Sequence, residues 1–249
     1  MKRSVAEIKR LSREHLMGNY RIMGRIFILA FCLPLILEMP LSGLVSDSTS
    51  LPMAFCYYGG ELLIAVVSSV LGMGQVLTHL CLARKQVYGT RDVFYCFRYH
   101  SNHYFAGAIF LTILELISQA PLYAYTFLWE KAWTDMVLAD WLLLAAMGLL
   151  SILLKLLFAM LFGLFEQVLL DREEESPWQC LLISWRLLGG SRLRMAGLCL
   201  SFAGMLLLSL VSLGMGLLYT IPYMKQAMSV LYLDCIGEEP APRMEPQAE

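Results

Sequence analysis

Residues 22–45, 61–83, 105–128 and 140–169 each run apolar for the width of a bilayer. A hydrocarbon core of about 30 Å takes roughly 20 residues of helix, so each stretch predicts a membrane-spanning helix. From Arg194 to Ile236 the chain is apolar again, about 64 Å if drawn as one helix at 1.5 Å per residue. One crossing cannot use that length. Ser212-Leu213-Gly214-Met215-Gly216 offers a break near its midpoint, giving a fifth span to about Leu213 and a sixth from about Leu217. A single long tilted span is the alternative. The predicted fold is all-α, a polytopic transmembrane bundle of about six spans arranged as three hairpins.

Shorter amphipathic pieces separate the spans. On a helical wheel of residues 1–20, Met1, Val5, Ile8, Leu11 and Leu16 share one arc, and Lys2, Arg3, Lys9, Arg10, Arg13, Glu7 and Glu14 fill the other. This pattern predicts an interfacial helix on the membrane surface whose Lys2, Arg3, Lys9, Arg10 and Arg13 contact lipid headgroups. Gly18-Asn19 stops it, and Arg21 and Arg25 can snorkel from the first turns of the next helix. A second surface segment carries Arg91 and Arg98 among Val93, Phe94, Phe97 and Tyr99. A third opens at Ser176-Pro177-Trp178-Gln179, a capping box with proline at the first helical position. It aligns Trp178, Leu181, Leu182, Trp185 and Leu188 before Gly189-Gly190. The integral membrane domain is then 21–236, followed by a polar, disordered tail at 237–249.

Within the spans, Gly72-Met73-Gly74 predicts a break in the second, and the excess length of the fourth predicts tilting or protrusion. Tyr123, Tyr125, Phe127 and Trp129 read as an aromatic belt where the third span ends. Both Gly-x-Gly pieces lack the strand-then-helix setting of a nucleotide loop and read as close-packing or turn positions.

Charge orients this scheme. Seven Lys and Arg lie before or at the start of the first span, four between the second and third, four between the fourth and fifth, and one in the tail; only Lys131, Lys155 and Lys225 lie elsewhere. The positive-inside rule places both termini in the cytoplasm, in a multi-pass protein of the cell membrane. The start of the chain lacks the short apolar core and small-residue exit of a cleavable signal, so the first span is expected to be retained. The composition, 58% hydrophobic and 16% charged, would leave a soluble fold unable to hide its apolar surface.

The three basic regions also begin an internal repeat. Residues 18–27 align with 101–110 and 191–200, with Gly24, Gly107 and Gly197 in register. Each unit reads as a surface helix, a small-residue stop, an inserted glycine and an apolar hairpin. One reading is a pseudo-threefold bundle with a central site; the other is that short-looped hairpins resemble one another.

Candidate chemistry is sparse. The seven cysteines share no metal-ligand spacing and read as free thiols, and His15, His100 and His103 read as interfacial. No catalytic, cofactor or metal site is predicted, nor any nucleic-acid partner; the predicted partners are membrane lipid and a possible membrane protein. Ionisable residues inside spans are the remaining candidates. Glu115 and Lys155 lie deep in the third and fourth spans, as a structural pair, a proton or solute path, or unpaired cavity-facing groups. Glu38 and Glu61 lie nearer the outer boundary, His79 and Glu166 nearer the inner one. The reading is a non-enzymatic partner-docking or lipid-organising membrane protein; the alternative is a small-solute or ion transporter or channel subunit with a buried Glu115–Lys155 site.

Two stretches carry a resemblance. Arg3-Ser4, Lys9 and Leu16-Met17-Gly18-Asn19-Tyr20, together with Ser184-Trp185-Arg186-Leu187-Leu188, Gly190, Arg194, Leu200-Ser201-Phe202, Leu213-Gly214-Met215-Gly216-Leu217-Leu218-Tyr219, Pro222-Tyr223, Ala227 and Tyr232, resemble a bacterial integral-membrane family described as domain of unknown function 975. The resemblance implies a polytopic bacterial membrane protein and no particular chemistry. A more distant likeness is to the membrane domain attached to some glycerophosphodiester phosphodiesterases, whose catalytic domain this chain has no room for.

Overall fold

A computed structural model of the chain describes residues 3–45, 51–128 and 136–238. All the regular secondary structure among the described residues is helical, without strands. Ser4 caps α1 (Val5–Leu16) by accepting from the Glu7 amide. Gly18 then adopts a left-handed φ of 87°, a conformation that costs glycine little. Asn19 locks the turn by donating to the His15 carbonyl at 3.0 Å.

The first hairpin is α2 (Tyr20–Val45) and α3 (Leu51–Ala83). α3 is unbroken at Gly72–Gly74, contrary to the sequence expectation. Gly74 is there for contact: a Cβ would lie 2.0 Å from the Val93 carbonyl oxygen. Val93 belongs to a 3-10 turn, Thr90–Phe94, which leads through α4 (Tyr95–Arg98) into α5 (Ser101–Leu128). α5 runs on through Pro121 and pairs with α6 (Leu138–Phe162). The long fourth span is interrupted at Gly163, and α7 (Phe165–Asp171) continues beyond it with Phe165, Val168 and Leu169 buried in the core. A Cβ on Gly163 would meet the Met195 side chain at 2.2 Å.

Ser176 and Gln179 form the expected reciprocal cap of α8 (Pro177–Gly189), with the Ser176 amide donating to Gln179 at 2.9 Å. α9 (Arg192–Val211) and α10 (Leu217–Ile236) make the third hairpin. Their turn uses Leu213 and Gly214 at φ values of 53° and 85°, at the predicted break. Ser209 and Thr220 hydroxyls meet at 3.0 Å beside it, and Arg194 pairs with Asp234 at the opposite end, so the two helices are antiparallel. The single-span alternative is thereby excluded. Trp129, Lys131 and residues 239–249 of the tail lie outside the described residues, as does Lys2.

Packing around the bundle is cyclic. α2 contacts α3, α3 contacts α5, α5 contacts α6, α6 contacts α9, α9 contacts α10, and α10 returns to α2. Each surface segment rests on the last helix of the unit before it: the 3-10 turn and α4 on α3, α8 on α6 and α7, and α1 on α10. Hairpins that merely look alike do not require this order. At one end, where the basic clusters gather, α3, α7, α10 and α1 converge on a dense core containing Leu71, Leu80, Leu169, Val230 and Leu233. Away from that end, α2, α3, α5, α6 and α9 expose Ile36, Leu63, Ile117, Leu153 and Leu207.

Candidate functional site

The basic end is held by charge as well as by packing. Arg84, just past α3, donates to Asp171 at the end of α7 at 2.7 Å and to Glu238 beyond α10 at 2.7 Å. Tyr232 also donates to Asp171, at 2.7 Å. One guanidinium thus ties together the last helices of all three units, with the bidentate geometry that arginine offers carboxylates. Hydrogen bonding to Glu238 and Asp171 holds the Arg84 pKa above its ordinary value.

A second knot joins Arg194 to Asp234, Ser191 and the Arg3 carbonyl, while the Arg3 amide donates to Asp234 at 3.2 Å. The start of α1 and the end of α10 therefore sit at the same end of the bundle. Glu173 makes the third, accepting from the Tyr104 and Tyr95 hydroxyls and lying 3.4 Å from His100. Burial, followed by Glu173, pushes the Tyr95 hydroxyl up, and the same two causes push the neighbouring Cys96 thiol up to about 12.

The surface-helix residues divide. α1 buries Ile8, Ser12, His15 and Leu16 within the protein, chiefly along α10. The expectation that its apolar face enters lipid is thus corrected, because α10 covers that face first. Lys9 also turns inward, donating to Ser201 at 2.6 Å and lying 5.0 Å from the centre of the Phe202 ring. Arg3 is half-buried, whereas Arg10 and Arg13 remain exposed. Along α8, Leu181 and Leu188 are buried while Trp178, Leu182 and Trp185 face out, with Arg192 stacked 5.2 Å over the Trp185 ring.

Glu115 and Lys155 are brought together at 2.5 Å, and Gln119 also donates to Glu115. The pair is not buried: its side chains are 51% and 47% exposed. The reason is the place of α6 at the edge of the bundle, with only 6% of its most apolar stretch covered. The pair lies in a groove of about 210 Å³ between α5 and α6, with Ser118 and Phe158.

Sequence reasoning missed a different cluster. Lys225 of α10 donates to the Gly72 carbonyl of α3 at 3.1 Å. A Cβ on Gly72 would lie 3.8 Å from the Lys225 amine and 3.9 Å from Glu166 of α7. The last helices of all three units meet here again. Nearby, His79 and Gln226 side chains meet at 2.9 Å, and Gln226 reaches His15 at 3.3 Å. The available signal was that Lys225 is one of few basic residues outside the basic clusters. Among the described residues no group of His, Cys, Asp and Glu is arranged to hold a metal.

Five helices in this bundle are long and apolar enough to cross a membrane: Tyr20–Leu41, Phe55–Ala83, Ser101–Tyr125, Leu138–Asp171 and Arg192–Ser209. The molecule is thus an all-α bundle of the multi-pass membrane class. The family model described as "Protein of unknown function (DUF975)" matches residues 1–238, and the chain belongs to that family. No curated protein and no solved structure matches it.

Proposed function

We propose that this chain is a non-enzymatic docking protein of the bacterial cell membrane that binds another membrane helix along its α5–α6 face. The observation that carries this reading is the Glu115–Lys155–Gln119 cluster, mid-span and on the outside of the bundle. Ionisable groups in hydrocarbon are costly and normally face protein or water. A partner helix with small or hydroxyl-bearing residues would satisfy the cluster and fill the groove beside it. The basic clusters share one end of the bundle with Arg3 and Asp234, near the first and last described residues, which supports placing the termini in the cytoplasm. In that orientation Arg10, Arg13 and the outward Trp178, Leu182 and Trp185 meet the inner leaflet as secondary lipid contacts.

A photo-reactive amino acid at Ile152, one turn from Lys155 and exposed, tests this in native membranes. A protein adduct is expected, and Glu115→Leu with Lys155→Leu should abolish it. Adducts to lipid alone would end the docking reading. The transport alternative rests on Lys225, Glu166 and Gly72 along the centre of the bundle; it would be favoured if Lys225→Met removed ion flux from proteoliposomes while folding was retained.

A further inference from the structure

On the α3–α5 seam, away from the docking face, the far end of the bundle opens into a cavity of about 800 Å³. Tyr57, Tyr58, Glu61, Leu62 and Ala65 of α3 line one wall, and Thr112, Leu116, Tyr123 and Ala124 of α5 line the other. Its floor is where the two helices come into contact: Ser69 and Thr112 hydroxyls lie 3.4 Å apart, and Thr112 is buried. Eight residues separate Glu61 from Ser69, so the carboxylate stands about 12 Å above the floor at 1.5 Å per residue. Apolar wall from Leu62, Ala65 and Leu116 occupies that interval.

We propose that this cavity binds an amphiphile with a cationic ammonium head and an apolar tail, the head at Glu61 and the tail reaching down to the Ser69–Thr112 floor. The lining decides the charge. Among the described lining residues Glu61 is the one carboxylate, none is lysine or arginine, and Tyr57, Tyr58 and Tyr123 share the walls with the acid. Tyr57 and Tyr58 already meet edge to face, with ring centres 5.2 Å apart. A carboxylate among aromatic faces is the environment that stabilises an organic cation. A neutral occupant would strip water from Glu61 without replacing it, and an anion would be repelled. A zwitterionic phospholipid would bring a phosphate for which the described lining residues hold no cation. The volume lies in the usual range for small-molecule sites. The floor and apolar wall favour a tailed ligand over a small soluble ammonium ion.

The full-length protein, purified in a maltoside detergent, would be examined by native mass spectrometry. Four probes would be compared: dodecyltrimethylammonium, tetramethylammonium, dodecyl sulfate and phosphatidylethanolamine. One retained dodecyltrimethylammonium per chain is expected, with the tailless cation and the anion absent. Glu61→Gln should weaken retention about tenfold and Tyr57→Leu, which keeps the acid, about fivefold. Equal retention of dodecyl sulfate overturns the charge assignment without requiring any variant to fold. Retention of tetramethylammonium equal to the tailed cation overturns the amphiphile, and phosphatidylethanolamine that dodecyltrimethylammonium cannot displace overturns the single-charge head. Unchanged binding in a folded Glu61→Gln protein overturns the site itself. None of these results depends on a partner at Glu115–Lys155, so failure here and failure of the docking reading are distinguishable.

Discussion

The basic end of the bundle and its far end are built from the same residue types and pack in opposite ways. Leu71, Leu164 and Leu169 are buried near the basic end, whereas Leu63, Leu150 and Leu153, from mid-span toward the far end, are exposed. In water the second arrangement would be untenable. In lipid it costs little, because hydrocarbon tails are as apolar as leucine and no hydrophobic force presses the helices together. What holds the basic end is therefore what lipid cannot supply: ion pairs from Arg84 and Arg194, and glycines at Gly74 and Gly163 that let backbone and side chains approach. Freed of such constraints, α3 and α5 part above Ser69 and leave room for a cavity.

That contrast can be broken most sharply at the Arg84 clamp. Arg84→Ala leaves Asp171 and Glu238 together without their cation, and should cost about 3 kcal/mol, near the low side for breaking a buried pair because Glu238 is half-exposed. Reversible unfolding in mixed micelles would measure it; a loss no larger than that of a surface pair would show that packing alone holds this end. Paired leucine truncations compare the ends directly. Leu169→Ala should cost about 2–5 kcal/mol, and Leu153→Ala, which trades protein contacts for lipid ones, about 0.5 kcal/mol. Similar losses at both sites would erase the distinction. Gly74→Ala should cost about 1–3 kcal/mol, since the atom it strikes is the Val93 carbonyl, which cannot rotate aside.

The buried thiols of the basic end make a smaller prediction. Burial first, and Glu173 and Glu175 respectively after it, push Cys96 up to about 12 and Cys180 up to about 11. An ordinary thiol ionises near 8.5, so the unfolded chain sheds these protons at lower pH than the folded one. Stability should accordingly hold below about pH 8 and fall as pH rises toward 11. Maleimide at pH 7 should modify both thiols at least roughly a hundredfold more slowly than a free cysteine. Rapid labelling, or stability rising with alkalinity, would mean that this core is open to water.

Much of this was legible in the order of residues. Apolar runs of bilayer length, the capping box at Ser176, the stop at Gly18-Asn19 and the turn at Leu213-Gly214 are local signals, set by periodicity and by which residues tolerate a given φ. The nearness of Glu115 to Lys155 followed from antiparallel neighbours joined by a short connection; their exposure did not, because a helical pattern does not say which helix ends at the edge of a bundle. Gly72–Gly74 looked like a break for a related reason. Glycine weakens a helix and also admits a neighbour, and only the docking of Val93 distinguishes the two.

By itself, then, the sequence determined the class of fold, the three hairpins and the clustering of positive charge, since each depends on interactions within a few turns or with the solvent; α3 begins ten residues before the expected Glu61, at Leu51, and the fourth span breaks at Gly163. Tertiary structure alone decided that α1 spends its apolar face on α10 rather than on lipid, that Arg84 joins three helix ends, and that Lys225 approaches Gly72 beside Glu166. Such meetings join residues as far apart as Arg3 and Asp234, across a separation of 231. Side chains so distant are brought within hydrogen-bond reach only by the cyclic packing of the hairpins, and no local pattern encodes that closure.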